Sequence, residues 1–122
     1  MDSPRALIAV VDDEASVRKA MCRALRLASY EAVPFALGLD LLIAPPQPRL
    51  ACVVMDIHMP GLTGLEVLPR LRAQGVVVPV VLVTATDEPG MAKRARAAGA
   101  AHLLIKPFPM EALTKVIQRV LS

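Results

Sequence analysis

Five residues in this chain have the chemistry to form a reactive site: Asp12, Asp13, Asp56, Thr84 and Lys106. Four of them close a short apolar run, and Asp13 follows Asp12 directly: ALIAVV before Asp12, LACVVM before Asp56, PVVLV before Thr84 and HLLI before Lys106. Three carboxylates, a hydroxyl and an ammonium brought together suit a divalent cation and a phosphoryl group. Carboxylates about 5 Å apart repel by roughly 3 kcal/mol per pair at an effective dielectric of about 20, so such a cluster takes up a cation readily. Magnesium fits best, because it accepts few carboxylates, keeps waters and shares phosphate oxygens, whereas calcium wants more protein oxygens. An exposed aspartate beside it can attack phosphorus and form an aspartyl phosphate. Phosphoryl transfer then needs mainly positioning and charge neutralisation, which Lys106, the Thr84 hydroxyl and the backbone amides after Asp56 and Thr84 can supply.

These residues meet only if the elements before them lie side by side. Apolar runs of four to six residues, separated by helix-length segments, read as strands of a parallel sheet buried on both faces. The carboxyl ends of such strands share one edge, where ligands bind. Strand and helix patterns alternate five times. Strands are expected at about 7–11, 31–35, 51–55, 80–83 and 102–105. Helix one spans about 14–27, with Val17, Ala20, Met21, Ala24 and Leu25 on one face. A short helix follows at 37–42, and the Pro-rich stretch from Ala44 to Leu50 is a connector. Helix three opens at Thr63, where Thr63 and Glu66 form a capping box. Pro69 falls inside it and predicts a kink or an early break. Helix four begins near Asp87–Pro89 and stops at Gly99. The last helix covers about 110–120, with Met110, Leu113, Ile117 and Val120 inward. Right-handed crossovers then give a three-layer α/β sandwich.

The 122 residues suit one domain, 1–122, and 55% hydrophobic content suffices for a core without disorder. A net charge of +3 permits nucleic-acid binding. However, the cations are spread over several helices with no aromatics between them, which argues for solvated helix faces. Cys22 and Cys52 read as small buried hydrophobes, without zinc-ligand spacing. The opening MDSPRA lacks a signal-peptide pattern, and no apolar run could span a bilayer, so a cytoplasmic protein with no membrane partner is expected.

Four segments together resemble the receiver domain of two-component response regulators: VVDDE at 10–14, MDIHMPGLTG at 55–64, VTA at 83–85 and KPF at 106–108, with GAAHLL from Gly99 as the approach to the lysine. The likeness covers essentially the whole chain and is closest to receivers of helix-turn-helix transcription regulators. It implies a flavodoxin-like doubly wound fold: a five-stranded parallel sheet of order 2-1-3-4-5 with helices on both faces. It implies that Asp56 accepts a phosphoryl group from a sensor histidine kinase. Mg2+ is then held by the carboxylates of Asp13 and Asp56 and the backbone carbonyl of His58, with Asp12 acting through a water. Thr84 and Lys106 contact the phosphoryl group, His58 and Thr86 flank it, and the Lys106–Pro107 bond is cis. The partners implied are the kinase and an output domain or promoter-bound regulator, with DNA contact made outside this domain. A phosphorylation-dependent homodimer through helix four, strand five and helix five is also implied, with Arg94, Arg96 and Glu111 available for charge pairing.

The chain departs from the family pattern at the switch. Receivers place Tyr or Phe three residues before the lysine, and here that residue is Leu103. Coupling between Thr84 and position 103 is therefore expected to be smaller or differently routed. The alternative reading is a degenerate receiver acting only as a protein-binding module. An enzyme is not expected beyond the chain's own phosphotransfer and dephosphorylation, because neither a phosphate-cradling G-x-x-x-x-G-K-[ST] loop nor a D-x-D pair is present. His58 has no second residue spaced to make its side chain a metal ligand, and His102 is expected to have no chemical role.

Overall fold

The computed structural model describes residues 5–122. The expectation for the opening MDSPRA segment falls mainly on residues 1–4, which lie outside the described residues. Five strands alternate with five helices: β1 Leu7–Val11, α1 Ala15–Leu27, β2 Glu31–Phe35, α2 Gly38–Ile43, β3 Leu50–Asp56, α3 Gly64–Ala73, β4 Val80–Thr84, α4 Met91–Ala97, β5 His102–Ile105 and α5 Met110–Leu121. The strands form one parallel sheet of order β2-β1-β3-β4-β5. Pro34 sits in β2, at the sheet's edge, where a missing N–H costs least.

Alternation along the strands divides the core in two. Ala9, Val11, Val53, Met55, Val80 and Leu82 face α2, α3 and α4. Their neighbours Ile8, Val10, Cys52, Val54, Val81 and Val83 face α1 and α5. β1, β3 and β4 thus bury side chains on both faces, which is why they read as unbroken apolar runs. Aliphatic and sulfur-bearing side chains fill both layers. Burial pushes the Cys52 thiol up to about 12 and raises Cys22 despite nearby Arg26 and Arg18, so both thiols are inert packing groups.

Two sequence expectations need correction. α3 neither breaks nor ends at Pro69 but runs on to Ala73. Proline removes the N–H that would bond the Leu65 carbonyl and crowds that carbonyl with its ring, but it occupies an exposed position, and buried Leu68 and Leu71 anchor the helix on either side. α4 begins at Met91, later than Asp87–Pro89. Gly90 has φ 82° and ψ −4°, a left-handed conformation that cannot belong to the helix, and the Met91 N–H closes a turn onto the Glu88 carbonyl at 3.0 Å. The Thr63 cap forms as expected. Its side chain accepts from the Glu66 N–H at 3.3 Å, and the Glu66 carboxylate accepts from the Thr63 N–H at 2.9 Å.

Candidate functional site

Strand register brings the reactive residues to one rim. Val11 pairs with Met55, so Asp12 and Asp56 leave adjacent strands at the same level. Asp56 pairs with Val83 and Thr84 with Ile105, which sets Thr84 one residue beyond Asp56 and Lys106 one beyond Thr84. Backbone bonds continue the ladder past the strands: Asp12 N–H to Phe35 carbonyl (3.1 Å), Ile57 N–H to Val83 carbonyl (2.8 Å) and Lys106 N–H to Thr84 carbonyl (2.7 Å).

Asp12, Asp13 and Asp56 each offer a carboxylate oxygen, and these atoms all lie within 4.8 Å of one another. Asp12 and Asp56 are buried and Asp13 is exposed. The Lys106 ammonium reaches into this group, 2.9 Å from Asp12 Oδ2 and 3.6 Å from Asp56 Oδ2. The other Asp12 oxygen accepts the Glu14 N–H at 2.9 Å, so Asp12 also organises the start of α1, though Glu14 is the capping position. Asp56 Oδ1 lies 3.4 Å from the His58 N–H. The His58 side chain is exposed and stands outside the carboxylate group. Thr84 is buried, and its hydroxyl exchanges bonds with Thr86, accepting its N–H at 3.2 Å and donating to its carbonyl at 3.3 Å. The Lys106–Pro107 peptide is cis.

Burial pushes the Asp56 carboxyl above its ordinary value. The Lys106 charge opposes this and the negative charges of Asp12 and Asp13 reinforce it. Burial pulls the Lys106 ammonium down, but the hydrogen bond to Asp12 and the charges of Asp56, Asp12 and Glu14 outweigh it and leave the group above its ordinary value. The pocket thus combines a partly neutralised anionic cluster with a fixed cation. The carboxylate groups that could ligate a metal offer oxygen donors, as a hard divalent ion such as Mg2+ requires.

The sequence profile of the response regulator receiver domain matches residues 8–118. This chain belongs to the response regulator receiver family. The receiver is 35% identical over 111 residues to the transcriptional regulatory protein FixJ of Bradyrhizobium diazoefficiens, covering 91% of this chain and 54% of that protein. It is 31% identical over 118 residues to the DNA-binding transcriptional regulator NtrC of Escherichia coli, covering 97% of this chain and 25% of NtrC. It therefore spans about half of one relative and a quarter of the other. Among solved structures, it superposes on the chemotaxis protein CheY4 of Vibrio cholerae with a TM-score of 0.89 at 33% identity, covering 96% of this chain and 99% of that one.

Leu103 pairs with Leu82 and packs partly buried against the α2–α3–α4 core. With Ala92, Ala95, Arg96, Ala100 and His102 it lines a groove of about 460 Å³ between α4 and β5. Two residues near the carboxylate cluster have roles that the sequence does not announce. Arg18, expected on a solvated helix face, donates its guanidinium N–H to the Asp12 carbonyl at 2.7 Å. Its position six residues beyond Asp12, one turn into α1, is the available signal. Gly64, which the sequence shows only as part of a motif, abuts the backbone of Asp56.

Proposed function

We propose that this receiver is a phosphorylation-controlled switch with Asp56 as the phosphoacceptor, acting as one domain over residues 1–122. One observation carries the reading: a lysine ammonium within 3.6 Å of a buried aspartate that shares a carboxylate cluster at the rim of a parallel sheet. An Asp56 oxygen attacks the phosphorus of a phosphohistidine on a sensor histidine kinase. The P–N bond breaks, its electrons return to the imidazole, and an aspartyl phosphate forms. Lys106 pairs with the phosphoryl oxygens, and Thr84 donates its hydroxyl to one of them after leaving Thr86. Asp13, Asp56 and the His58 carbonyl would hold Mg2+, and buried Asp12 would act through a water. When bound, Mg2+ neutralises charge on the carboxylates and the phosphoryl group. The chain's own chemistry is limited to this transfer and to hydrolysis of the resulting acyl phosphate.

The output is transcription through a linked domain or a promoter-bound regulator, as the names of FixJ and NtrC suggest, with DNA contact made elsewhere than on this domain. Exposed Arg94 and Arg96 on α4 and Glu111 on α5 supply charges for a phosphorylation-dependent homodimer through α4, β5 and α5. Such exposed pairs guide register more than they add affinity. A second reading, a degenerate receiver that only binds protein, draws on Leu103 and on the Thr84 hydroxyl being occupied by Thr86. Incubation with acetyl phosphate, with and without Mg2+, followed by intact-mass measurement separates the two. The switch gains the mass of one phosphoryl group only with Mg2+, and the gain vanishes in Asp56→Asn. An unchanged wild-type mass supports the binding-only reading.

A further inference from the structure

The chain returns to Asp56 eight residues after leaving it. Gly64, the first residue of α3, is buried and donates its N–H to the Ile57 carbonyl at 2.9 Å. A Cβ on residue 64 would lie 2.6 Å from the Asp56 carbonyl oxygen, 3.1 Å from the Ile57 Cα and 3.2 Å from the Asp56 carbonyl carbon. All three are backbone atoms of the acceptor strand's end, so no side-chain rotation relieves the clash. Nor is glycine needed here for its conformational range, because residue 64 is helical and is absent from the positive-φ glycines. Glycine is a poor helix former, and alanine would favour this helix if space allowed. What the site demands is close approach.

That approach closes a short loop. Residues 57–63 leave the strand, bury Ile57 and Met59 in the core, turn at Gly61 (φ 77°) and re-enter through the Thr63 cap. α3 cannot back away, since Val67, Leu68 and Leu71, on the same face as Gly64, are packed at 0–1% exposure. A side chain at residue 64 must therefore displace the Asp56–Ile57 peptide and the loop. The loop carries His58, whose N–H faces Asp56 Oδ1 and whose carbonyl is the proposed metal ligand.

We infer that Gly64 is a positioning residue for the acceptor loop, setting the aim of the Asp56 carboxylate and of the His58 carbonyl by allowing α3 to rest directly on the Asp56 peptide. This deepens the proposed function and rests on it for the metal and phosphoryl readouts. Gly64→Ala is compared with Gly75→Ala in the full chain. Gly75 has φ 86° and open space within 4 Å of where a Cβ would stand, so its substitution strains the backbone away from the site without a clash. Mg2+ affinity by isothermal titration, the rate of acetyl phosphate labelling at saturating Mg2+ and the thermal midpoint are measured for each. Gly64→Ala is expected to weaken Mg2+ binding by about tenfold or more and to slow labelling, the scale typical of groups that orient metal ligands, while Gly75→Ala lowers the midpoint and leaves both within about twofold. Gly64→Ala matching wild type in both readouts overturns the inference. If Gly64→Ala does not fold, the wild-type chain decides: the Gly64 amide resonance must move on Mg2+ addition together with those of Ile57 and His58, and a stationary Gly64 amide overturns it. If wild type takes up neither Mg2+ nor phosphate, the proposed function has failed. The positioning claim is then judged on the metal-free Asp56 and Ile57 amide shifts, which Gly64→Ala must change and Gly75→Ala must not.

Discussion

Lys106 points its ammonium at Asp12 more closely than at Asp56, 2.9 Å against 3.6 Å. Asp12 is fully buried and its second oxygen is already committed to the Glu14 amide, so the lysine is the principal counter-charge for an otherwise costly anion. The ammonium is thus bonded to Asp12 and stands beside Asp56 without a hydrogen bond to it.

Removing that cation should be expensive. Lys106→Met leaves two buried carboxylates facing each other and is expected to destabilise the chain by about 3 kcal/mol at neutral pH. The folded-state pKa of Lys106 is raised, so its contribution is fully present below the unfolded value of 10.5 and disappears as pH climbs through the higher folded value. Urea denaturation at pH 7 and at a pH above that folded value should therefore show the gap between wild type and Lys106→Met closing in strong alkali. A gap that is constant with pH would contradict this.

Asp56 has the opposite effect on stability at neutral pH. Its carboxyl pKa is raised by burial and by its acidic neighbours, so its contribution is favourable below the unfolded value of 3.8 and is lost as pH rises through the folded value. In chelator, at neutral pH, Asp56→Asn should be more stable than wild type by about 1 kcal/mol, or roughly 3–5 °C in Tm. The advantage should shrink as pH falls through the folded pKa. A neutral-pH Tm below that of wild type would refute the electrostatic account of the cluster.

Arg18 ties α1 to the Asp12 carbonyl. Arg18→Met should cost about 1.5 kcal/mol, as for a hydrogen bond from a charged donor, and should weaken Mg2+ binding. Arg23→Met, on an exposed position of the same helix, should stay within about 0.5 kcal/mol. Equal effects of the two substitutions, read by titration and thermal melts, would return Arg18 to the solvated face.

Leucine at residue 103 leaves the α4–β5 groove without an aromatic ring, so under the proposed switch no ring would swing inward if Thr84 released Thr86. Beryllofluoride with Mg2+ should shift the amide resonances near Asp56 and Thr84 but give a reduced or differently distributed response across residues 85–108. A full-sized response throughout that stretch would show that the ring is dispensable.

The fold is legible in the sequence because β1, β3 and β4 are buried on both faces and therefore appear as unbroken apolar runs. The candidate site residues are legible because they sit where such runs stop. Pro69 misleads as to a break because propensity reports the local cost of a lost hydrogen bond and a crowded carbonyl but not the anchorage by Leu68 and Leu71 that carries the helix on. The start of α4 is obscured because a proline suited to a first turn stands beside a glycine whose left-handed conformation only the folded chain reveals. Arg18 and Gly64 stay hidden for a related reason. Each acts on the backbone of an aspartate, and residue type does not announce a contact to a carbonyl, the spacing of Arg18 from Asp12 being the one signal available.

A crystal structure of the chain with Mg2+ and beryllofluoride tests the shared pocket most directly. The fluoroberyllate should sit on an Asp56 carboxylate oxygen, within hydrogen-bonding reach of Lys106 Nζ and of a Thr84 hydroxyl turned away from Thr86, with the cation between Asp13, Asp56 and the His58 carbonyl. Adduct on a different side chain, or on Asp56 with Lys106 and Thr84 both turned elsewhere, would contradict the account.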